Sequence, residues 1–332
     1  MGLGSIGPRH LAVIDCARDA EIVAICDIDP VKCKKYSELY NGIPSFTDFQ
    51  TMLDNTKADI VDICTPHYLH SPMSIRALSL GRHVLVEKPM SLTVSDAISM
   101  IVEANKNGRR LMVVKQNRYN IPVKITRDAL TSGWLGKIFM VQCNVLWNRY
   151  GNYYTESPWR GKKETEGGAL YTQVSHFIDL MIWWFGDVLD ARSVTACMDH
   201  QIETEDCGTA ELIFSSGVMG SLSWSTCVYQ KNYEGSITII GKNGIIKIGG
   251  QYLNKIEYWD VKDHPLPKDI QFIDTPNSYG KYQGSSSNHD KVIRDVVGDL
   301  RSGSYTAVEG AEGIKTVSAI EKIYKNAKIL PA

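Results

Sequence analysis

Three short stretches of this chain carry residue types that can do chemistry together. The first is Gly2-Leu3-Gly4-Ser5-Ile6-Gly7, a G-x-G-x-x-G loop running into a helical stretch from Pro8 to Arg18. In such a loop the first glycine permits a tight turn, the second lets backbone approach a pyrophosphate, and the third allows close helix packing. The following helix start offers unpaired N–H groups and positive potential. Asp27 closes the next apolar run, 23 residues after Gly4, where a carboxylate can accept hydrogen bonds from both hydroxyls of an adenosine ribose. The same charge repels a 2'-phosphate, and Ile28 follows in place of a cation, so NAD is favoured over NADP. The competing reading is that Asp27 only caps a turn with Asp29 and Pro30.

The second stretch is Glu87-Lys88-Pro89, delivered by the apolar run His83-Val84-Leu85-Val86. Ligands of doubly wound sheets bind at strand carboxyl ends, and an ammonium there can stabilise a developing alkoxide. A solvated lysine at a strand end is the plainer alternative. The third stretch runs from Gly167-Gly168 to Leu180. Leu170, Val174, Phe177, Ile178 and Met181 recur at helical spacing, Thr172 and His176 lie four apart on one face, and Asp179 lies three beyond. A neutral imidazole suits abstraction of a hydroxyl proton near neutral pH, and Asp179 could fix its tautomer. A histidine on an apolar helix is also at home as a satisfied core residue.

Between them, residues 147 to 159 hold Trp147, Tyr150, Tyr153, Tyr154 and Trp159, flanked by Arg149, Arg160, Lys162 and Lys163. Aromatics on Gly- and Asn-rich sequence suit stacking on sugar rings, and arginines suit a phosphate or carboxylate. A core edge, an oligomer contact or a solvated charge cluster would read the same way. His67 and His70 invite a metal reading. With no third ligand beside them the expectation is no metal, and His67, after Thr65-Pro66 at another strand end, borders the cofactor instead.

The elements that must position these groups fall into two parts. Residues 1 to 117 alternate β-branched runs with amphipathic helical stretches, the pattern of a parallel sheet with crossover helices. Strands are expected at Glu21 to Asp27, Ile43 to Ser45, Asp59 to Thr65, His83 to Glu87 and Arg110 to Lys115, with Pro30 opening a helix and Thr47 and Thr93 as N-caps. A fingerprint of this kind ordinarily follows a central strand, so a Val/Ile-rich strand within ~5 to 10 residues upstream of Met1 is expected. Residues 118 to 332 read as an α+β domain with a large, open, mainly antiparallel sheet. Its strands are Arg192 to Met198, Cys207 to Phe214 and Val218 to Cys227, followed by a hairpin pairing Ile237–Ile240 with Ile245–Ile248 across Gly241-Lys242-Asn243-Gly244. A loop at 275 to 288 and helices at 289 to 301 and 308 to 326 complete it.

Composition agrees with this reading. The 332 residues suit two domains, and 36 Lys+Arg against 37 Asp+Glu leave a net charge of −1, without the basic excess of a nucleic-acid binder. At 43% hydrophobic the chain is not disordered, and no apolar run approaches a membrane span. Eight scattered cysteines without C-x-x-C spacing, and no leader or myristoylation pattern, make a cytoplasmic protein the expectation.

Taken together, the Gly2–Gly7 loop, Asp27, Thr65-Pro66 with His70, Glu87-Lys88-Pro89 and the helix ending His176-Phe177-Ile178-Asp179 resemble the Gfo/Idh/MocA family of NAD(P)-dependent sugar and inositol oxidoreductases. The resemblance extends through Val308-Glu309-Gly310. It implies a Rossmann-type NAD domain, and Lys88 and His176 as catalytic residues at the reacting hydroxyl. It places Gly2, Gly4, Ser5, Ile6, Gly7, Asp27, Thr65, Pro66, His67, His70, Glu87, Lys88, Gln116, Trp159 and Arg160 at the cofactor, the last two through a Trp-Arg loop that can reach a neighbouring subunit. Lys88, Arg118, Tyr154, Thr172, Gln173 and His176 fall at the substrate. Many members carry an aspartate where this chain has Thr172. That departure, with Tyr153-Tyr154 through Gly161, is similar to the UDP-N-acetylglucosaminuronate 3-dehydrogenase branch, which implies oxidation of a 3'-hydroxyl by NAD+ toward a surface polysaccharide. A free sugar or inositol as substrate, or a non-catalytic NAD- or sugar-binding protein, are the other readings. A homo-oligomer formed through the second-domain sheet is expected.

Overall fold

The computed structural model describes all residues except 151, 269, 271, 273–275, 279–282 and 332. The chain forms two compact units: Met1–Lys115 with His289–Val317, and Gln116–Asn288 with Ser318–Ala332. The first division falls two residues before the expected one. Residues 289–317, expected in the second domain, belong to the first unit because they pair with its sheet edge: Val113 N donates to Val308 O at 2.8 Å, and Arg110 binds Asp299 and Glu309.

The first unit alternates α1 (Gly7–Asp15), β1 (Ile25–Cys26), α2 (Pro30–Leu39), β2 (Ser45–Phe46), α3 (Phe49–Asn55), β3 (Ile60–Ile63), α4 (His70–Ser79), β4 (His83–Val86), α5 (Val94–Lys106) and β5 (Leu111–Val113). Its pairing is parallel throughout, in two pieces, β1–β2 and β3–β4–β5. Capping sets the helix starts. Asp29 accepts from Val31 N and Lys32 N ahead of α2, and Thr93 accepts from Asp96 N ahead of α5. Asp48 rather than Thr47 caps α3: Asp48 is the residue that precedes the first helical turn, and its carboxylate accepts Thr51 N at 2.7 Å.

Among the described residues no strand runs between β1 and β3. Met1 and Gly2 stitch the two pieces: Gly2 N donates to Cys26 O and Cys64 N to Met1 O, both at 2.8 Å. A cavity of about 140 Å³, lined by Ile22, Ala24, Ile60, Val61, Leu85 and Ile293 among others, lies beside them. The strand expected over Glu21 to Asp27 therefore shortens to Ile25–Cys26, since among the described residues Glu21 to Ala24 have no backbone partner.

The second unit opens with α6 (Ile121–Thr131), β6 (Ile138–Leu146) and α7 (Asn152–Thr155), and continues through α8 (Ser175–Phe185), β7 (Val188–Ala196), β8 (Cys207–Phe214) and β9 (Met219–Ser225). Then come β10 (Glu234–Gly241), β11 (Gly244–Gly249), β12 (Lys255–Val261) and a small ribbon of β13 (Pro276–Ser278) and β14 (Gln283–Ser286). The chain ends with α9 (His289–Ser302), α10 (Gly310–Lys325) and β15 (Ala327–Ile329). The loop expected at 275–288 thus contains two short strands, and its residues 275 and 279–282 lie outside the described residues.

The large sheet runs β12-β11-β10-β6-β9-β8-β7-β15, antiparallel except for β6–β9 and β15–β7. Alternation along its strands buries one face, for example Val141, Cys143 and Val145 of β6 and Leu222 and Trp224 of β9. Within the same unit α8 lies against β6. Phe177, Ile178, Leu180 and Met181 are fully buried, each stabilising by ~1.5–3 kcal/mol. This burial fixes the helix that carries His176.

Candidate active site

The glycine loop has the geometry of a dinucleotide cradle. Gly2 sits at φ +89°, and a Cβ on it would lie 2.7 Å from Cys64 O; one on Gly7 would lie 1.9 Å from Gly2 O. Among the described residues nothing lies within 4 Å of the Cβ position of Gly4, which leaves its backbone open to a phosphate. The α1 N-cap, Ile6, makes no side-chain capping bond, which leaves the first N–H groups for an anion. Asp27 Oδ2 accepts Leu3 N at 2.6 Å and Oδ1 accepts Asp29 N at 2.9 Å. The carboxylate thus both braces the loop and caps the turn, and each oxygen retains a lone pair for a ribose hydroxyl. The residues present fit NAD.

His70 couples two strand ends of the same unit. Its Nδ1 lies 2.7 Å from Pro89 O and its Nε2 2.8 Å from Thr65 O. Only an imidazolium could donate to both; burial opposes that charge and lowers the His70 pKa, so the two carbonyls compete for one N–H at neutral pH. Both ring nitrogens therefore face backbone. His67, 5.7 Å away between ring centroids, is buried in the short turn that leads into α4. Lys88 follows β4 half-buried, joined to Pro89 by a cis peptide, and its backbone N donates to Glu87 Oε2 at 3.0 Å. Glu87, expected at the cofactor, turns its carboxylate inward: Oε1 accepts His10 Nε2 at 3.1 Å, and only 5% of the residue is exposed.

In the second unit the helix expected from Gly167 is not uniform. Leu170–Val174 form a π turn, and α8 begins at Ser175. The wider turn changes the simple i, i+4 relation expected for Thr172 and His176, and such turns are common at functional sites. Two buried carboxylates support it. Glu166 accepts Gly161 N and Thr172 Oγ1, while Glu205 Oε1 accepts Leu170 N at 3.2 Å and Tyr324 OH at 2.7 Å. Burial raises the pKa of both, that of Glu205 to about 7.

His176 lies in the first turn of α8, 5% exposed. Asp179, expected to orient His176, is gripped by Arg118, with Nε to Oδ2 at 2.8 Å and Nη2 to Oδ1 at 2.9 Å. Arg118, expected at the substrate, thus applies its fork to a carboxylate of its own unit, over the Trp183 ring. Gln173 donates Nε2 to Tyr153 OH at 3.3 Å, and among the described residues its buried Oε1 and the buried Ser175 Oγ have no hydrogen-bond partner. Gln116 is buried in the short turn after β5.

The aromatic stretch is largely core edge rather than an open stacking surface. Trp147 and Tyr153 are buried, Trp147 Nε1 donates to Gln251 O, and Arg149 is buried over both rings with Nη1 on Asn148 O. Arg160 lies 4.0 Å over Tyr153 and 5.5 Å from Trp159, and Lys162 and Lys163 are exposed. Tyr154 OH bonds Thr226 Oγ1. A cavity of about 420 Å³ opens here, lined by Tyr154, Ser157, Arg160, Lys162, Gln201 and Glu203 among others.

Sequence reasoning missed the buried supports Glu166, Glu205, His10 and His289. A signal existed only for His10, one turn into the helix that opens at Gly7.

A glycine loop braced by a carboxylate, a lysine at a strand end and a histidine on a helix over a mainly antiparallel sheet agree with an NAD-dependent oxidoreductase, and the chain belongs to the Gfo/Idh/MocA family. The profile described as "Oxidoreductase family, NAD-binding Rossmann fold" matches residues 1–115, and "GFO/IDH/MocA C-terminal domain" matches residues 123–247. Among solved structures, the chain is 34% identical to the WlbA dehydrogenase of Bordetella pertussis in complex with NADH and UDP-GlcNAcA. That match covers 98% of this chain and 94% of that one, with a TM-score of 0.88. The corresponding complex from Chromobacterium violaceum is 35% identical, with 98% and 91% covered and a TM-score of 0.89. Curated relatives include D-apiose dehydrogenase of Paraburkholderia graminis, 24% identical over 99% of this chain and 86% of that protein. The match to 1-carboxy-3-chloro-3,4-dihydroxycyclohexa-1,5-diene dehydrogenase of Comamonas testosteroni, 27% identical, spans 70% of this chain and 59% of that one. Among the described residues no helix is long and apolar enough to cross a membrane.

Proposed function

We propose that this chain oxidises the 3'-hydroxyl of UDP-N-acetylglucosaminuronate. The observation that carries this reading is its 34–35% identity, over 98% of its length, to dehydrogenases solved with NADH and UDP-GlcNAcA. Two features of the chain agree. Gln173 Oε1, an acceptor, and Ser175 Oγ, a donor and acceptor, lie beside His176 in sequence and have no hydrogen-bond partner among the described residues, which suits a hydroxyl-rich ligand. Arg160 and Lys162 line a cavity in the same unit and suit an anionic substrate.

NAD+, when bound, supplies the hydride acceptor. Lys88 hydrogen-bonds the reacting oxygen and stabilises the charge that develops on it, and His176 accepts the hydroxyl proton as the C–H hydride leaves. The alcohol loses a hydride and a proton and becomes a ketone. Asp27 and the glycine loop hold the adenosine and pyrophosphate, Thr65, Pro66 and His67 border the cofactor, and Gln173 orients the sugar. Replacing His176 by Ala or Lys88 by Met lowers kcat by about 100-fold or more with NADH affinity retained. Near-wild-type turnover in either variant refutes the role assigned to it, and turnover confined to free sugars or inositol refutes the nucleotide-sugar assignment.

The outer face of the large sheet exposes Ile213, Met219 and Tyr258, a surface that a second copy would cover. Light scattering tests this; a monomer at working concentration contradicts it.

A further inference from the structure

Beneath the Lys88 corner lies a buried set of charges that the proposed chemistry does not use. Glu87 Oε1 accepts His10 Nε2 at 3.1 Å, and His10 Nδ1 meets Asp62 Oδ2 at 2.7 Å. His289 Nε2 lies 3.4 Å from the same Glu87 oxygen, without the alignment of a hydrogen bond, and the His10 and His289 rings are 5.1 Å apart. The other Glu87 oxygen accepts Lys88 N. His10, Glu87 and His289 are 2%, 5% and 1% exposed. Four elements of the first unit meet here: the phosphate-loop helix α1, β3, β4 and α9, which returns from the far end of the chain.

We propose that His10 is a positioning residue which holds the Glu87 carboxylate inward, so that Glu87 fixes the backbone from which Lys88 projects. The proposal rests on the role assigned to Lys88 above.

Charge balance supports the geometry. His10 faces a carboxylate from each ring nitrogen, so both nitrogens must donate, which only the imidazolium can do. Burial opposes that charge, but the Asp62 carboxylate, 2.7 Å from Nδ1, outweighs it and holds the His10 pKa well above the ordinary value. Burial alone would raise Glu87; the hydrogen bond and the charge of His10 hold it well below the usual carboxylate range. His289 is pushed down by burial, with His10 and Arg9 opposing its charge, and stays neutral. His70 and Lys88 lie close to Glu87 as well, and the Met1 ammonium donates to Asp62 O at 2.7 Å. The set is Asp62⁻, His10⁺, Glu87⁻ and neutral His289. Without the His10 charge, a carboxylate this deeply buried takes up a proton near neutral pH, and its grip on the Lys88 N–H weakens.

The test combines kcat against pH, with NAD+ and UDP-N-acetylglucosaminuronate, and ¹⁵N spectra of the ring nitrogens of the eight histidines. In the wild type one ring, assigned through its loss in His10→Gln, stays doubly protonated to pH 8. His10→Leu lowers kcat about 10- to 100-fold, with KM for NAD+ less affected. It also brings a new acidic limb to the profile as Glu87 titrates. His10→Gln, which still donates to Glu87, recovers part of kcat, and Glu87→Gln lowers kcat without the new limb. A His10 ring that titrates near ~6.5, a His10→Leu profile of wild-type shape and height, or ring signals that move on adding EDTA each overturn the proposal. If His10→Leu does not fold, the wild-type ring spectrum and the Glu87→Gln profile decide. Full turnover in Lys88→Met with an imidazolium at His10 defeats the catalytic reading alone, so the two failures are distinguishable.

Discussion

Replacing Glu205 by Gln exchanges one buried carboxyl for an amide of the same shape, under the π turn that leads into His176. Burial raises the Glu205 pKa from 4.5 to about 7. A carboxyl whose folded pKa exceeds its unfolded value binds its proton more tightly in the native state, so its contribution is fully present below pH 4.5 and is lost as pH rises through 7. At ~1.36 kcal/mol per unit the whole span is worth about 3 kcal/mol, of which about 2 falls between pH 5.5 and 8.5. Urea unfolding followed by tryptophan fluorescence at those two pH values measures it. With m of about 3 kcal/mol/M, the Glu205→Gln midpoint gains roughly 0.7 M over wild type on going from pH 5.5 to 8.5. The amide still accepts Leu170 N and Tyr324 OH through its oxygen, so kcat at pH 7 changes less than fivefold, as expected of a retained hydrogen bond worth ~1 kcal/mol. Parallel pH dependence in the two proteins would refute the assignment of a neutral buried carboxyl at this position.

Gly7→Ala sets a Cβ 1.9 Å from Gly2 O, so the loop must open; NADH affinity measured by fluorescence titration falls at least tenfold, and wild-type affinity contradicts the cradle. Cys16 is the one exposed cysteine, whereas burial pushes the thiols of Cys26 and Cys64 up to about 11 and that of Cys227 up to about 12. Iodoacetamide at pH 8 therefore modifies Cys16 first in the native protein, as peptide mass mapping would show; equal labelling of Cys64 contradicts the burial described.

The fold was legible where local patterning and tertiary demand agree. The G-x-G-x-x-G loop, the strand delivering Lys88 and the hairpin around Gly241–Gly244 each declare themselves through turn chemistry or apolar period. What the sequence concealed depends on partners remote along the chain. Glu205 meets the π turn across 35 residues, and His289 reaches Glu87 only because α9 returns to the first unit. Asp179 was readable as a partner for His176 from spacing alone, yet the bidentate hold of Arg118, 61 residues away, cannot be inferred from a helical repeat. Likewise, five aromatics in a polar stretch do not say which way they face. Trp147 and Tyr153 face inward, with the Arg149 guanidinium over both rings.

The central claim is a hydride passed from C3' of a nucleotide-sugar to NAD+. UDP-N-acetylglucosaminuronate carrying deuterium at C3', mixed with enzyme and NAD+ and analysed by mass spectrometry, tests it most directly. The account predicts singly deuterated NADH together with a 3'-ketone, both formed about 100-fold or more slowly by Lys88→Met or His176→Ala at the same enzyme concentration. Undeuterated NADH, or no reduction at all by the wild-type protein, would contradict it.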